Sequence, residues 1–256
     1  MFYEKTVGPT RFFVFSELET VPGLLHAFTT RATDDLVKDA PRTPEVAPGK
    51  AVFLATLGIP PERVVQLKQI HSDRVVKVDE TYNHGITPQH ADGIQLARAG
   101  YFAVIKTADC APIIAVHPQS RSVCALHAGW RGTLSRITRK ALIRFLSETN
   151  ARPDELVVAI GPSIRRCCYE VGHEVLEQFA KAGHDMNRIA SGRQLDIVAA
   201  NRAQVEELGI KRFLDSGMCT ACRTDLFYSY RREGKTGRCW ALAGFAEVGD
   251  THATHP

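Results

Sequence analysis

Three compact apolar runs in the middle of the chain constrain its fold more than any other feature. Tyr101-Phe102-Ala103-Val104-Ile105, Ile113-Ile114-Ala115-Val116 and Val123-Cys124-Ala125-Leu126 are short, apolar and separated by turn chemistry. They read as strands buried on both faces. From Gly132 the period changes. Leu134, Ile137, Ala141, Leu142, Phe145 and Leu146 recur at three- and four-residue spacing, with Arg136, Arg139, Lys140 and Arg144 off that stripe, which predicts a helix. Thr107-Ala108-Asp109-Cys110 closes the first run, and His127-Ala128-Gly129-Trp130-Arg131-Gly132-Thr133 leads from the third into the helix. Two reactive side chains, Cys110 and His127, are thereby expected at the exits of two strands of one sheet, where α/β proteins tend to place function.

The remaining segments extend the same alternation. Residues 11–16 and 24–29 read as strands around the Pro22-Gly23 turn signal. A polar, proline-rich stretch from Thr29-Thr30-Arg31 to about Gly49 reads as a long loop, followed by a short helix from Lys50 to Leu57 that stops at Gly58. Val64 to Ile70 reads as an extended run delivering His71 to a strand end, and Arg74 to Val78 as another strand. Strands at 156–160 and 210–214, a helix with the stripe Val171, Val175, Leu176 and Phe179, a third helix from Leu195 to Leu208 and a last strand near 240–245 complete the pattern. With no linker, repeat or low-complexity segment, one α/β domain is expected over residues 1–249, with a loose tail at 250–256.

Composition narrows the function classes. A 256-residue chain that is 44% hydrophobic can bury a sizeable core. Its formal charge of +4 is spread out, and its aromatics are not interleaved with a basic stripe, so neither nucleic acid nor a membrane surface is an expected partner. Arg11 to Phe15 is too short for the apolar core of a signal peptide, and no run approaches a membrane span. The expected location is cytoplasmic. Neither a GxGxxG nor a GxxxxGK[ST] stretch is present. Seven cysteines, at 110, 124, 167, 168, 219, 222 and 239, suit metal ligation, catalysis or burial better than a disulfide framework.

Cys110, His127 and the upstream His71 have the donor chemistry of a catalytic zinc site, in which three protein ligands leave a position open for water. They are far apart in sequence and match no compact finger spacing. Cys110 as a nucleophile with His127 as its base is the metal-free alternative. Asp109 is a candidate proton carrier or a capping residue. The Cys219-Thr220-Ala221-Cys222 pair lacks a second CxxC to complete a four-ligand site, although Cys167-Cys168 and Cys239 offer further sulfurs. It reads as a packing or loop feature. Arg165 and Arg166 precede a helix and read as a charge pair or anion site, and the Gly129–Gly132 turn offers free N–H groups to an anion.

Five ordered motifs together resemble one family. Gln69-Ile70-His71-Ser72, Thr107-Ala108-Asp109-Cys110, His127-Ala128-Gly129-Trp130-Arg131-Gly132, Cys167-Cys168-Tyr169-Glu170-Val171-Gly172 and Phe227-Tyr228-Ser229-Tyr230-Arg231-Arg232 are similar to the YfiH-type, or laccase-domain, family. The resemblance implies a single domain of layered mixed β-sheets flanked by helices, with His71, Cys110 and His127 as metal ligands. It further implies zinc-dependent phosphorolysis of purine nucleosides, including methylthioadenosine, together with adenosine deamination. Purine nucleosides and phosphate would be the partners of a monomer or homodimer. Gln69, Arg31, Arg131 and Arg165 are the candidate substrate and phosphate contacts, and Cys110, His127 and Asp109 the candidate catalytic groups. Amide hydrolysis by Cys110 and His127 on peptidoglycan precursors is a further reading, as is a binding protein with a structural metal. Copper is an alternative metal by affinity order, but multicopper oxidase chemistry needs HxH pairs, and the ten histidines form none. One departure stands out: family members usually follow Thr-Thr-Arg with a glycine-rich segment, whereas Arg31 here leads into Ala32-Thr33-Asp34-Asp35-Leu36.

Overall fold

In the computed structural model, residues 1–35, 48–82 and 89–247 are described. Most of the proline-rich stretch and the expected tail lie outside the described residues. The apolar runs form strands as expected. The N-terminal part lays down Phe2–Val7 (β1), Thr10–Phe15 (β2), Leu24–Thr29 (β3), Val64–Gln66 (β4), Val75–Val78 (β5) and Gly93–Leu96 (β6). Phe102–Thr107 (β7), Ala111–His117 (β8), Ser122–Ala128 (β9) and Val157–Ile160 (β10) follow. The short pair Ala190–Ser191 (β11) and Gln194–Leu195 (β12) precedes Arg212–Asp215 (β13) and Cys239–Phe245 (β14).

Two six-stranded mixed sheets result, in the orders β1-β2-β3-β14-β7-β4 and β13-β10-β8-β9-β6-β5. Period-two alternation sorts their side chains into layers. Phe13, Phe28, Ile105 and Ala241 of the first sheet meet Ile94, Ile114, Val123 and Val157 of the second in a shared core. The opposite faces carry helices. Ile113, Cys124, Leu126 and Val158 pack against Ile137, Leu142 and Phe145 of the helix Ile137–Thr149 and against Val205 of the helix Ile197–Glu206. Phe12, Val104 and Leu242 pack against Phe53 and Leu54 of the helix Pro48–Thr56. The α/β architecture with layered mixed sheets is the expected one. No helix among the described residues is long and apolar enough to cross a membrane.

Local departures have physical causes. The helix expected to run unbroken from Gly132 is two, Trp130–Leu134 and Ile137–Thr149, because Arg136 takes a left-handed conformation at φ 59°. The break is held by the neighbouring helix: Gln204 Nε2 donates to the Thr133 carbonyl at 3.0 Å and Asn201 Nδ2 to the Thr133 hydroxyl at 2.9 Å. After Arg31, the start of the expected loop is a short helix, Ala32–Asp35. His71 does not end a strand, because β4 stops at Gln66.

Candidate metal and nucleoside site

The chain changes sheets at the site. β7 belongs to the first sheet and β8 to the second, so Thr107-Ala108-Asp109-Cys110 is the crossing, not an exit within one sheet. Asp109 makes the turn at φ 93°, a region few non-glycine residues enter. Its strain is offset by dense bonding. Thr220 Oγ1 donates to one carboxylate oxygen at 2.6 Å, the Arg231 N–H to the other at 2.7 Å, and the Ile164 N–H to its carbonyl at 2.8 Å. With both oxygens engaged, Asp109 is a brace fixing the far wall of the pocket to the Cys110 turn.

Cys110 and His127 stand at the same end of the β8/β9 ladder, where Ala111 pairs with Ala128 and Pro112 with His127. His71 comes from the other side on a left-handed turn at φ 60°. The residue joining them is Asp92, just before β6, whose side chain is wholly buried. One carboxylate oxygen accepts from His127 Nδ1 at 2.8 Å and from the His71 N–H at 2.9 Å. The other accepts from the N–H groups of Ile70 at 3.2 Å and Ser72 at 2.6 Å, and from the Ser72 hydroxyl at 2.7 Å. A carboxylate taking this many donors holds the His71 turn in shape and fixes the His127 tautomer, leaving Nε2 free for Cys110 or a metal. No local signal marks this role. Asp92 lies in no recognisable motif, and its partners are separated from it by 20 to 35 positions.

Electrostatics follow from this arrangement. Burial pushes the Asp92 carboxyl up, but the His127 ring and the Ser72 donors outweigh it and bring it down to about 2. Burial likewise opposes ionisation of Cys110, yet hydrogen bonds and charge from His127 and His71 pull its thiol well below the usual range. His127 is raised: desolvation works against its charge, and Asp92 and Cys110 more than compensate. Cys110 and His127 therefore favour a thiolate–imidazolium pair.

The donor set fits a zinc or copper ion. The ligand atoms of His71, Cys110 and His127 all lie within 4.8 Å of one another, and the two rings meet edge to face with centroids 4.9 Å apart. A thiolate and two neutral imidazoles are ligands for these metals, and three of them leave a position open. Gly129 makes the close approach sterically feasible. A Cβ there would lie 3.0 Å from both Cys110 Sγ and His71 Cδ2.

The three ligands open into a cavity of about 790 Å³. Trp130, Tyr169 and Ile164 supply flat apolar wall, and Lys68, Lys106, Arg131, Arg231 and Arg238 line it with positive charge. Of the expected anion contacts, Arg131 is in place. It stacks on Trp130 with its guanidinium carbon 4.3 Å from the ring centroid, and no carboxylate pairs with it among the described residues. Arg31 and Arg165 do not line this cavity. Arg31 is held by Glu233 at 2.9 Å, by the Thr224 carbonyl and over the Tyr228 ring. Arg165 forks onto Asp215, with Nη1 to Oδ2 at 2.8 Å. Gln69 does reach the cavity, but its amide is bound at both ends to the Lys106 backbone, at 2.8 Å each, extending the β4/β7 pairing instead of facing a ligand. Lys106, Arg231 and Arg238 were not among the expected contacts, since only the crossing of chain segments brings them here.

The remaining sulfurs also regroup. All seven cysteines are free. Cys219 and Cys222, however, do not merely pack, because Cys167 and Cys168 join them in a cluster of four. Cys239 is buried in β14, apart from it.

Residues 27–246 match the family described as multi-copper polyphenol oxidoreductase laccase. A purine nucleoside phosphorylase of Deinococcus radiodurans is 37% identical over 236 residues, covering 86% of this chain and 88% of that one. The adenosine deaminase RL5, from an unknown prokaryotic organism, is 37% identical over 192 residues, covering 70% of this chain and 72% of its own. Among solved structures, YlmD of Geobacillus stearothermophilus superposes with a TM-score of 0.78 at 29% identity, covering 89% of this chain and 93% of that chain. Bacillus licheniformis YfiH shares the fold, with a TM-score of 0.80 at 23% identity, covering 94% of this chain and 98% of that chain. The ordered motifs, the double-sheet fold and these matches agree, and the chain belongs to the laccase-domain, or YfiH-type, family.

Proposed function

We propose that this protein is a zinc-dependent purine nucleoside phosphorylase that also phosphorolyses methylthioadenosine and deaminates adenosine. The observation carrying this reading is that one cavity joins the His71–Cys110–His127 cluster, the flat walls of Trp130 and Tyr169, and the cation Arg131, with which no carboxylate pairs among the described residues. Relatives named purine nucleoside phosphorylase, at 37% and 34% identity, support it. His71, Cys110 and His127 would hold the zinc, which when bound would supply Lewis acidity and lower the pKa of water.

The side chains around it set the rest. Trp130 and Tyr169 offer faces for the purine. Arg131, assisted by Lys106 and Arg238, holds the phosphate dianion beside the ribose. A phosphate oxygen attacks C1′, the C1′–N9 bond breaks, and the purine leaves with its electron pair and takes up the proton that phosphate gives up. The products are free base and ribose 1-phosphate. In deamination, water adds at C6 of the purine, the C6–N bond breaks and ammonia departs. Asp92 keeps His127 oriented throughout.

A second reading has its own support. Cys110, His127 and Asp92 form a thiol, imidazole and carboxylate relay, the third member being the orienting group a cysteine hydrolase requires. The two readings separate on stripping the metal with a chelator and assaying adenosine by chromatography. Phosphorolysis should vanish and return when zinc is restored. Unchanged turnover by the stripped protein would instead assign the chemistry to the Cys110–His127 pair.

A further inference from the structure

Beyond the pocket, four thiols from two distant loops converge. Cys167 and Cys168 lie in the loop that follows β10, and Cys219 and Cys222 in the loop that follows β13. Their sulfurs all lie within 4.8 Å of one another, with Cys168 and Cys222 at 3.4 Å and Cys167 and Cys222 at 3.6 Å. We propose that these four cysteines bind a second zinc ion, a structural site separate from the His71–Cys110–His127 cluster.

Geometry distinguishes this from ordinary packing. Zinc–thiolate bonds of about 2.3 Å in a tetrahedron place the sulfurs roughly 3.8 Å apart, within the spread seen here. Apolar burial does not explain the gathering, since Cys167 and Cys222 are exposed. A disulfide would use only two of the four, and separations of 3.4 and 3.6 Å are far beyond a bond of about 2.05 Å. Cys219-x-x-Cys222 has the spacing of a zinc half-site, and the vicinal pair supplies the other two donors.

The surroundings are built to hold it. Between the two loops, Ser163 N–H donates to the Met218 carbonyl at 3.3 Å and Thr220 N–H to the Ser163 carbonyl at 3.1 Å, so the half-sites are already in register. Arg232 reaches Cys168 Sγ with Nη2 at 3.4 Å and the Ala221 carbonyl with Nε at 3.0 Å, placing a cation beside a tetrathiolate that would carry net negative charge. Binding exchanges S–H bonds for Zn–S bonds and releases the protons to solvent.

The site would also shape the pocket. The same loops carry Ile164 and Tyr169, which line it, and Thr220, which bonds Asp109 beside Cys110. Arg231, another lining residue, is tied to the Cys168 carbonyl at 3.2 Å and the Glu170 carbonyl at 2.9 Å. The second ion would thus fix one wall of the cavity.

Cys110→Ala tests this without touching the four thiols. Under reducing conditions, elemental analysis should find about two zinc per wild-type chain, and about one in Cys110→Ala and in Cys219→Ser/Cys222→Ser. Cobalt loaded into Cys110→Ala should give the intense visible bands and sulfur-to-metal charge transfer of a tetrahedral thiolate centre. A wild-type content of one zinc that Cys110→Ala abolishes would overturn the proposal. So would the absence of thiolate–cobalt bands in Cys110→Ala, or a metal-free protein whose peptide map shows a Cys168–Cys222 bridge.

Discussion

Asp92→Asn probes the site at its least replaceable point. Asp92 uses one oxygen for His127 Nδ1 and the His71 N–H, and the other for Ile70, Ser72 N–H and the Ser72 hydroxyl. Asparagine fills the same volume but turns one acceptor into a donor. If the amide nitrogen faces Ser72 and Ile70, two backbone N–H groups lose their acceptor. If it faces His127, the ring must carry its proton on Nε2, where the metal would bind. Losing hydrogen bonds to a charged acceptor costs about 1.5–3 kcal/mol each, and breaking a buried ion pair about 3–5 kcal/mol. Partial relaxation leaves an expected loss of about 3 kcal/mol, or roughly 6–12 °C in Tm for a chain of this size. Zinc affinity, read by competition with a chromophoric chelator, should fall about 10- to 100-fold, as is typical when the partner of a ligating histidine is removed. Wild-type zinc affinity together with wild-type melting would refute the role given to Asp92.

Three further outcomes follow from the geometry. His26 is buried, accepts the Phe15 N–H at 2.8 Å and is pushed by desolvation down to about 4. Its folded pKa lies below the unfolded value near 6.5, so its contribution is intact above that value and is lost as pH falls toward 4. Denaturant titrations should show about 2 kcal/mol of this loss at pH 5, absent in His26→Gln. Arg131→Gln should raise KM for phosphate roughly tenfold or more with a smaller change in kcat, whereas Arg31→Gln, whose guanidinium is held by Glu233 and Thr224, should leave KM within about twofold. Gly129→Ala pushes a methyl to 3.0 Å from Cys110 Sγ and His71 Cδ2 and should weaken zinc binding about tenfold or more while the fold persists by circular dichroism.

Legibility in the sequence tracked how local each signal is. The runs that became β7, β8 and β9 were readable because twofold burial writes itself as continuous apolar sequence, and Cys110 and His127 stood out at their ends. The break at Arg136 was not, because the partners that stabilise it, Asn201 and Gln204, lie more than 60 positions on. Charge alone does not tell a free cation from a paired one. Arg31 and Arg165 look like anion ligands until their partners, 202 and 50 positions away, appear beside them. Asp92 shows the converse: nothing in Ala91-Asp92-Gly93 marks it, yet it organises both histidines. Cys219-x-x-Cys222 carried a local signal whose completing half, Cys167-Cys168, only the crossing of two loops reveals.

In the proposed chemistry phosphate is a reactant. Phosphorus NMR of zinc-loaded protein mixed with adenosine and inorganic phosphate tests it directly. The expected result is ribose 1-phosphate forming in step with total free purine base, adenine plus hypoxanthine, and neither product in Cys110→Ala or without phosphate. Free base appearing at the same rate without phosphate, or free base forming while inorganic phosphate stays unconsumed, would contradict it.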